Sequence, residues 1–144
     1  MGVFLFMTKR IQYNKYHSDY AKKYRLTCKG YFLRLKSHAN GRGVSFLLDY
    51  PSFEYWRNKQ KNICSYCKRT LKEILSTGES RANILSVDRV DNKKGYQVDN
   101  IVLACNLCNW VKKDFFNYND MLRLGRIIRS ISNRILKEKN AKDF

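Results

Sequence analysis

Apolar and polar positions along the chain fall into segments of different period. Across residues 13–39, Tyr13, Tyr16, Tyr20, Tyr24, Tyr31 and Leu35 recur mostly at three- and four-residue steps. That spacing predicts a helix, with one break near Gly30. Two uses are open for the stripe: packing on a core, or contact with phosphates through the neighbouring Lys22, Lys23, Arg25 and Arg34. Asn40, Gly41, Arg42 and Gly43 make a turn. The apolar run 44–48 is either a strand or the lead-in to a helix that Pro51 starts, with Phe53, Trp56 and Gln60 on one side. Thr77, Gly78, Glu79 and Ser80 read as a loop. Residues 84–89 alternate and predict a strand, 91–95 a turn, 100–104 a second strand and 106–113 a short helix. A last helix, capped by Asn117 or Asn119, runs to about residue 137. Its apolar stripe is Met121, Leu122, Leu124, Ile127, Ile128, Ile131 and Ile135. The pattern is α+β, with a strand–turn–strand–helix unit between flanking helices, and no segment repeats.

The cysteines give this unit its chemistry. Cys64 and Cys67 form one Cys-x-x-Cys pair and Cys105 and Cys108 a second, with the 37 residues from 68 to 104 between them. Four thiols at this spacing suit one tetrahedral zinc, and a site closed by four cysteines is structural. A redox pair would need only one motif, and no thioredoxin-like βαβ pattern surrounds either. Asp88 ends the first predicted strand and Asn109 follows the second pair. A carboxylate and an amide oxygen are hard donors, suited to magnesium or manganese.

Charge then narrows the partner. Lys and Arg number 29 against 12 Asp and Glu, a net charge of +17; zinc on four thiolates lowers this by two. The basic residues run along the whole chain between Tyr, Phe and Trp, which favours nucleic acid over a membrane surface. No stretch is long enough to span a bilayer. The apolar residues 1–7 are too short for a signal peptide and lack a cleavage site; they read as an alternative start. Paired cysteines beside a lone Cys28 point to a reducing, DNA-containing compartment such as the cytoplasm, not to secretion.

Residues 63–113 resemble the HNH (His-Me finger, ββα-metal) endonucleases. That family's pattern runs Cys-x-x-Cys, an Asp-His strand end, a Gly turn, an Asn-Leu/Ile-Val strand and Cys-x-x-Cys-Asn-x-x-Lys. Here it reads Cys64 and Cys67, Asp88-Arg89, Gly95, Asn100-Ile101-Val102, Cys105 and Cys108-Asn109, and Lys112. One departure matters: Arg89 stands where the family places its histidine base. An arginine stays protonated. His17 and His38 lie far upstream and act only if the fold brings them back. The departure is itself similar to a PacI-like restriction endonuclease subgroup, over roughly residues 41–131. The shared features are Val87-Asp88-Arg89, Gly95-Tyr96, Cys64-Ser65-Tyr66-Cys67 and the Phe115-Phe116 that precedes the last helix.

The resemblance implies a zinc-stapled ββα-metal core over 41–116, a basic aromatic helical region over 1–40, and a C-terminal helix over 117–144 on the core or at a dimer interface. It implies a metal-dependent DNA endonuclease, restriction-like or homing-like, with Asp88 and Asn109 holding the catalytic cation. Arg89 would contact phosphate and Tyr66 would assist water activation or positioning. Asn100 and Gly95 would support the active-site loop, and Arg42, Lys112 and Lys113 would contact double-stranded DNA. The subgroup's extra N-terminal cysteine motif is absent, so one zinc is expected, with Cys28 a lone thiol. Cutting both strands would call for a homodimer. Two other classes stay open: a catalytically inactive zinc-containing nucleic-acid-binding module, and a basic structural protein of a ribonucleoprotein.

Overall fold

Side-chain caps set the helix starts. The computed structural model describes residues 2–79 and 84–142. The side chains of residues 1–11 and 13, with Ser80 at the end of the predicted loop, lie outside the described residues. Helix α1 (Gly2–Leu26) stops where Thr27 caps α2 (Cys28–Gly41), its hydroxyl accepting from the Gly30 amide. The break thus comes three residues before Gly30. The glycine serves a different purpose: a Cβ there would lie 2.0 Å from the Tyr24 carbonyl oxygen, so α1 closes directly onto α2.

Asp49 caps α3 (Tyr50–Lys59). Thr70 and Glu73 form a reciprocal capping box at the start of α4 (Leu71–Thr77). Cys105 caps α5 (Asn106–Lys112) through its sulfur. Of the two asparagines expected to cap the last helix, Asn117 does so. Its Oδ1 accepts from Asp120 N at 3.0 Å, and Asp120 returns the bond to Asn117 N. This helix, α6, spans Tyr118–Lys142.

The sheet is a two-stranded antiparallel ribbon: β1 (Ser86–Arg89) pairs with β2 (Ile101–Ala104), with Ser86 opposite Ala104 and Arg89 opposite Ile101. The run at 44–48 does not extend it. It makes one parallel bridge, Phe46 to Tyr96, held by Tyr96 N to Ser45 O and Leu47 N to Tyr96 O, each 2.9 Å. A Cβ at Gly95 would lie 2.4 Å from Ser45 O, so this approach requires glycine. Phe32, Leu48, Phe53, Trp56, Val87, Leu103 and Met121 are buried in the shared core.

The two long-helix stripes differ from the periodic reading. Tyr16 and Tyr20 of α1 are 68% and 60% exposed, whereas Tyr31 and Leu35 of α2 pack on the core. The break at Thr27 lets α1 run past the core. On α6, the line that faces inward is Met121, Gly125, Ile128 and Ser132, while Ile127 and Ile131 face solvent. Gly125 decides this rotation. A Cβ there would lie 2.4 Å from the Tyr66 carbonyl oxygen, so the helix backbone itself touches the first cysteine knuckle. The architecture is α+β: a small two-stranded sheet with α5 against it, enclosed by helices. No helix among the described residues is long and apolar enough to cross a membrane.

Candidate active site

Two Cys-x-x-Cys turns meet behind the ribbon. Cys64 N donates to Arg69 O at 2.9 Å, and Lys68, at φ 58, turns the chain back so that its amide reaches Cys64 O. Ser65 N donates to Leu103 O at 2.7 Å, tying this knuckle to β2. The ligand atoms of Cys64, Cys67, Cys105 and Cys108 all lie within 4.8 Å of one another and all four residues are buried. The Sγ atoms of Cys67 and Cys105 are 3.9 Å apart. A tetrahedron of zinc–sulfur bonds of about 2.3 Å has edges of about 3.8 Å, so the donor set fits zinc.

Arg69, which the motif spacing does not single out, is fully buried beside these sulfurs. Its Nε donates to Cys67 Sγ at 3.2 Å and its Nη2 lies 3.7 Å from Cys105 Sγ. Its other donors reach Glu79 and, at 2.6 Å, the Ser132 hydroxyl of α6. Contacts from the Cys105, Cys108 and Cys64 thiols, and then the hydrogen bond from Arg69, pull the Cys67 thiol far below its ordinary range. A site of four thiolates carries excess negative charge that one guanidinium offsets.

The ribbon and α5 carry the polar site. Ser86 and Asp88, two apart on β1, face the residues three apart on α5. Asn109 Nδ2 donates to Ser86 Oγ at 3.1 Å, and Lys112 Nζ lies 3.2 Å from Asp88 Oδ2. The Tyr66 hydroxyl donates to the same Oδ2 at 2.5 Å. Asp88 Oδ1 carries neither contact, and Asn109 engages Ser86 through its nitrogen rather than its oxygen. A carboxylate and an amide oxygen on facing elements fit a hard divalent cation. Burial, then the Asp88 carboxylate, push the Tyr66 hydroxyl well above the usual tyrosine range. It therefore acts as a fixed donor to Asp88.

Arg89 Nη1 donates to the carbonyls of Asn92 and Lys94, at 2.8 and 2.9 Å, bracing the loop after β1. Asn100, buried under that loop, accepts from Asp91 N and donates to Asp91 O and Gly95 O. Lys112 departs from its expected place on a DNA-facing surface. It is fully buried, and its ammonium also donates to Arg89 O at 2.6 Å and Asn92 Oδ1 at 2.8 Å. Three oxygen partners surround it, so it stays under the site. Lys113 is exposed, with its ammonium over the Trp110 ring.

A cleft of about 930 Å³ opens in front of Asp88 and Asn109. Arg89 and Lys113 line one side, and Arg34 and His38 of α2, with Arg42 one residue past its end, line the other. Arg34 and His38, four residues apart, share a face of α2. The fold thus brings His38 to the cleft; its distance along the chain concealed this. Tyr66 does not line the cleft.

In overall structure the chain is similar to the rare-cutting HNH restriction endonuclease PacI, with a TM-score of 0.64 and 26% identity, covering 73% of this chain and 78% of that one. The likeness gives the chain an HNH-like fold and supports a nuclease-like function. In sequence it is 30% identical over 111 residues to an uncharacterized protein of Acanthamoeba polyphaga mimivirus, over 72% of this chain. The chain spans about a fifth, 19%, of that relative's length. No family model matches the chain.

Proposed function

We propose that the protein is a divalent-metal-dependent endonuclease that hydrolyses phosphodiester bonds in double-stranded DNA. The observation that carries this reading is that Asp88, at the end of β1, and Asn109, on α5, line one basic cleft on a zinc-type knuckle. Zinc on Cys64, Cys67, Cys105 and Cys108 would hold the frame. Magnesium or manganese on Asp88 and Asn109 would supply charge stabilisation at the scissile phosphate. Tyr66 and Lys112 orient the carboxylate from beneath, and Asn100, with Gly95, keeps the loop in place. Arg89, Lys113 and Arg42 present positive charge to the DNA backbone from the two sides of the cleft. Cutting both strands takes two such sites. Ile127 and Ile131, side by side on the outer face of α6, make that face our choice for a homodimer contact, which light scattering reads directly.

A second reading has its own support. The Lys112 ammonium already sits on Asp88, and position 89 holds no histidine, as in an inactive zinc-containing nucleic-acid-binding module. Supercoiled plasmid incubated with magnesium or manganese separates the two. An endonuclease converts it to nicked or linear DNA, and Asp88→Ala abolishes the conversion while DNA binding in calcium persists. Wild-type protein that binds but never cuts leaves the inactive module.

A further inference from the structure

His38 is the cleft's only imidazole among the described residues, and we propose that it is the general base that the strand end lacks. The proposal rests on the endonuclease reading and adds to it the residue that takes the proton from the attacking water.

The position is a built one. Leu35 and Ala39 bury the inner face of α2. The Tyr31 hydroxyl accepts from Val87 N of β1 at 2.8 Å, and Arg42 Nη2 donates to the Tyr96 hydroxyl at 3.0 Å. These bonds pin α2 to the ribbon and its loop on both sides of His38, one turn from Arg34 and one from Arg42. The side chain is exposed and lines the same cleft as Asp88 and Asn109.

The other groups in reach are unsuited. Arg89 holds its proton and braces the loop. Tyr66 lies outside the cleft, donating to Asp88. Asp88 has Tyr66 and Lys112 on one oxygen and is the proposed cation ligand. Asp114 is on the rim, its side chain 90% exposed and drawn to Arg89 at 3.9 Å. An imidazole has a ring nitrogen that can accept the proton, and so suits the task.

In the step, water gives a proton to His38 as its oxygen bonds to phosphorus. The bond from phosphorus to the leaving sugar oxygen breaks, and that oxygen takes a proton from solvent. The charged groups that line the cleft with His38 are Asp88 and Arg89 on β1, Lys113 and Asp114 just after α5, Arg34 on its own helix and Arg42 just past that helix.

The test is plasmid cleavage by His38→Ala and His38→Gln, with zinc content and circular dichroism as fold controls and DNA affinity measured in calcium. Both variants should bind DNA as the wild type does and cut about 100-fold or more slowly. Added imidazole should restore part of the His38→Ala rate. If the wild type cuts and His38→Ala cuts equally fast, or loses activity only in step with DNA affinity and without rescue, this proposal is wrong and the endonuclease reading stands. If the wild type does not cut at all, the endonuclease reading fails and this one falls with it.

Discussion

Tyr66 sits between two cysteines of one knuckle, and its hydroxyl meets Asp88 Oδ2 at 2.5 Å. A single hydrogen bond therefore joins the cysteine frame to the carboxylate at the end of β1. Replacing Tyr66 with Phe removes it while keeping the ring that packs on Tyr118. The expected outcome is a cleavage rate about 10- to 100-fold lower with zinc content unchanged, read by plasmid nicking and metal analysis. An unaltered rate would mean that Asp88 needs no support from below.

Adjacent lysines should behave in opposite ways. Lys112→Met leaves Asp88 with an uncompensated buried charge and should lower stability by about 3–5 kcal/mol, measured by urea unfolding. Lys113→Ala should change stability by less than about 0.5 kcal/mol, yet reduce the salt dependence of DNA binding by about one counterion. Equal effects of the two on DNA affinity alone would contradict the burial of Lys112.

Arg69→Met keeps the bulk near Cys67 and Cys105 but removes the guanidinium. Zinc affinity should fall about 10- to 100-fold, observed by competition with a chromophoric chelator. The contact with Ser132 predicts that α6 loosens as well, which hydrogen exchange would show as faster amide exchange around residue 132. Zinc retention equal to wild type would make Arg69 a packing residue only.

Zinc removal should unfold the unit rather than merely slow it, because the ligands hold β2, α5 and the knuckle together. Cys105→Ser takes away both a ligand and the sulfur that caps α5. Its circular dichroism should match that of chelator-treated wild type, and a folded Cys105→Ser protein would refute the coupling.

The site was more legible than its surroundings because its chemistry is written in close spacing. Cys64, Cys67, Cys105 and Cys108 converge as their two motifs suggest, and the strand bearing Asp88 alternates visibly, whereas Asn100 ends the turn before β2 rather than starting the strand. Helix α4 went unread although Thr70 and Glu73 carry a capping-box signature, because the apolar run behind them is only one turn long. The burial of Lys112 was hidden for a different reason. Spacing shows which face of α5 a residue occupies, but not that β1 covers that face. His38 and Arg69 depend on contacts between residues tens of positions apart, and no local pattern encodes such contacts.

Gly125 has a reach beyond its own helix. It is pressed against the backbone of Tyr66, the residue whose hydroxyl holds Asp88. A methyl group added there would act as a wedge, lifting the tyrosine and tilting the carboxylate without altering a single residue that lines the cleft. A chain cut just before residue 125 would keep all those residues too, yet would lose the anvil against which Tyr66 is set.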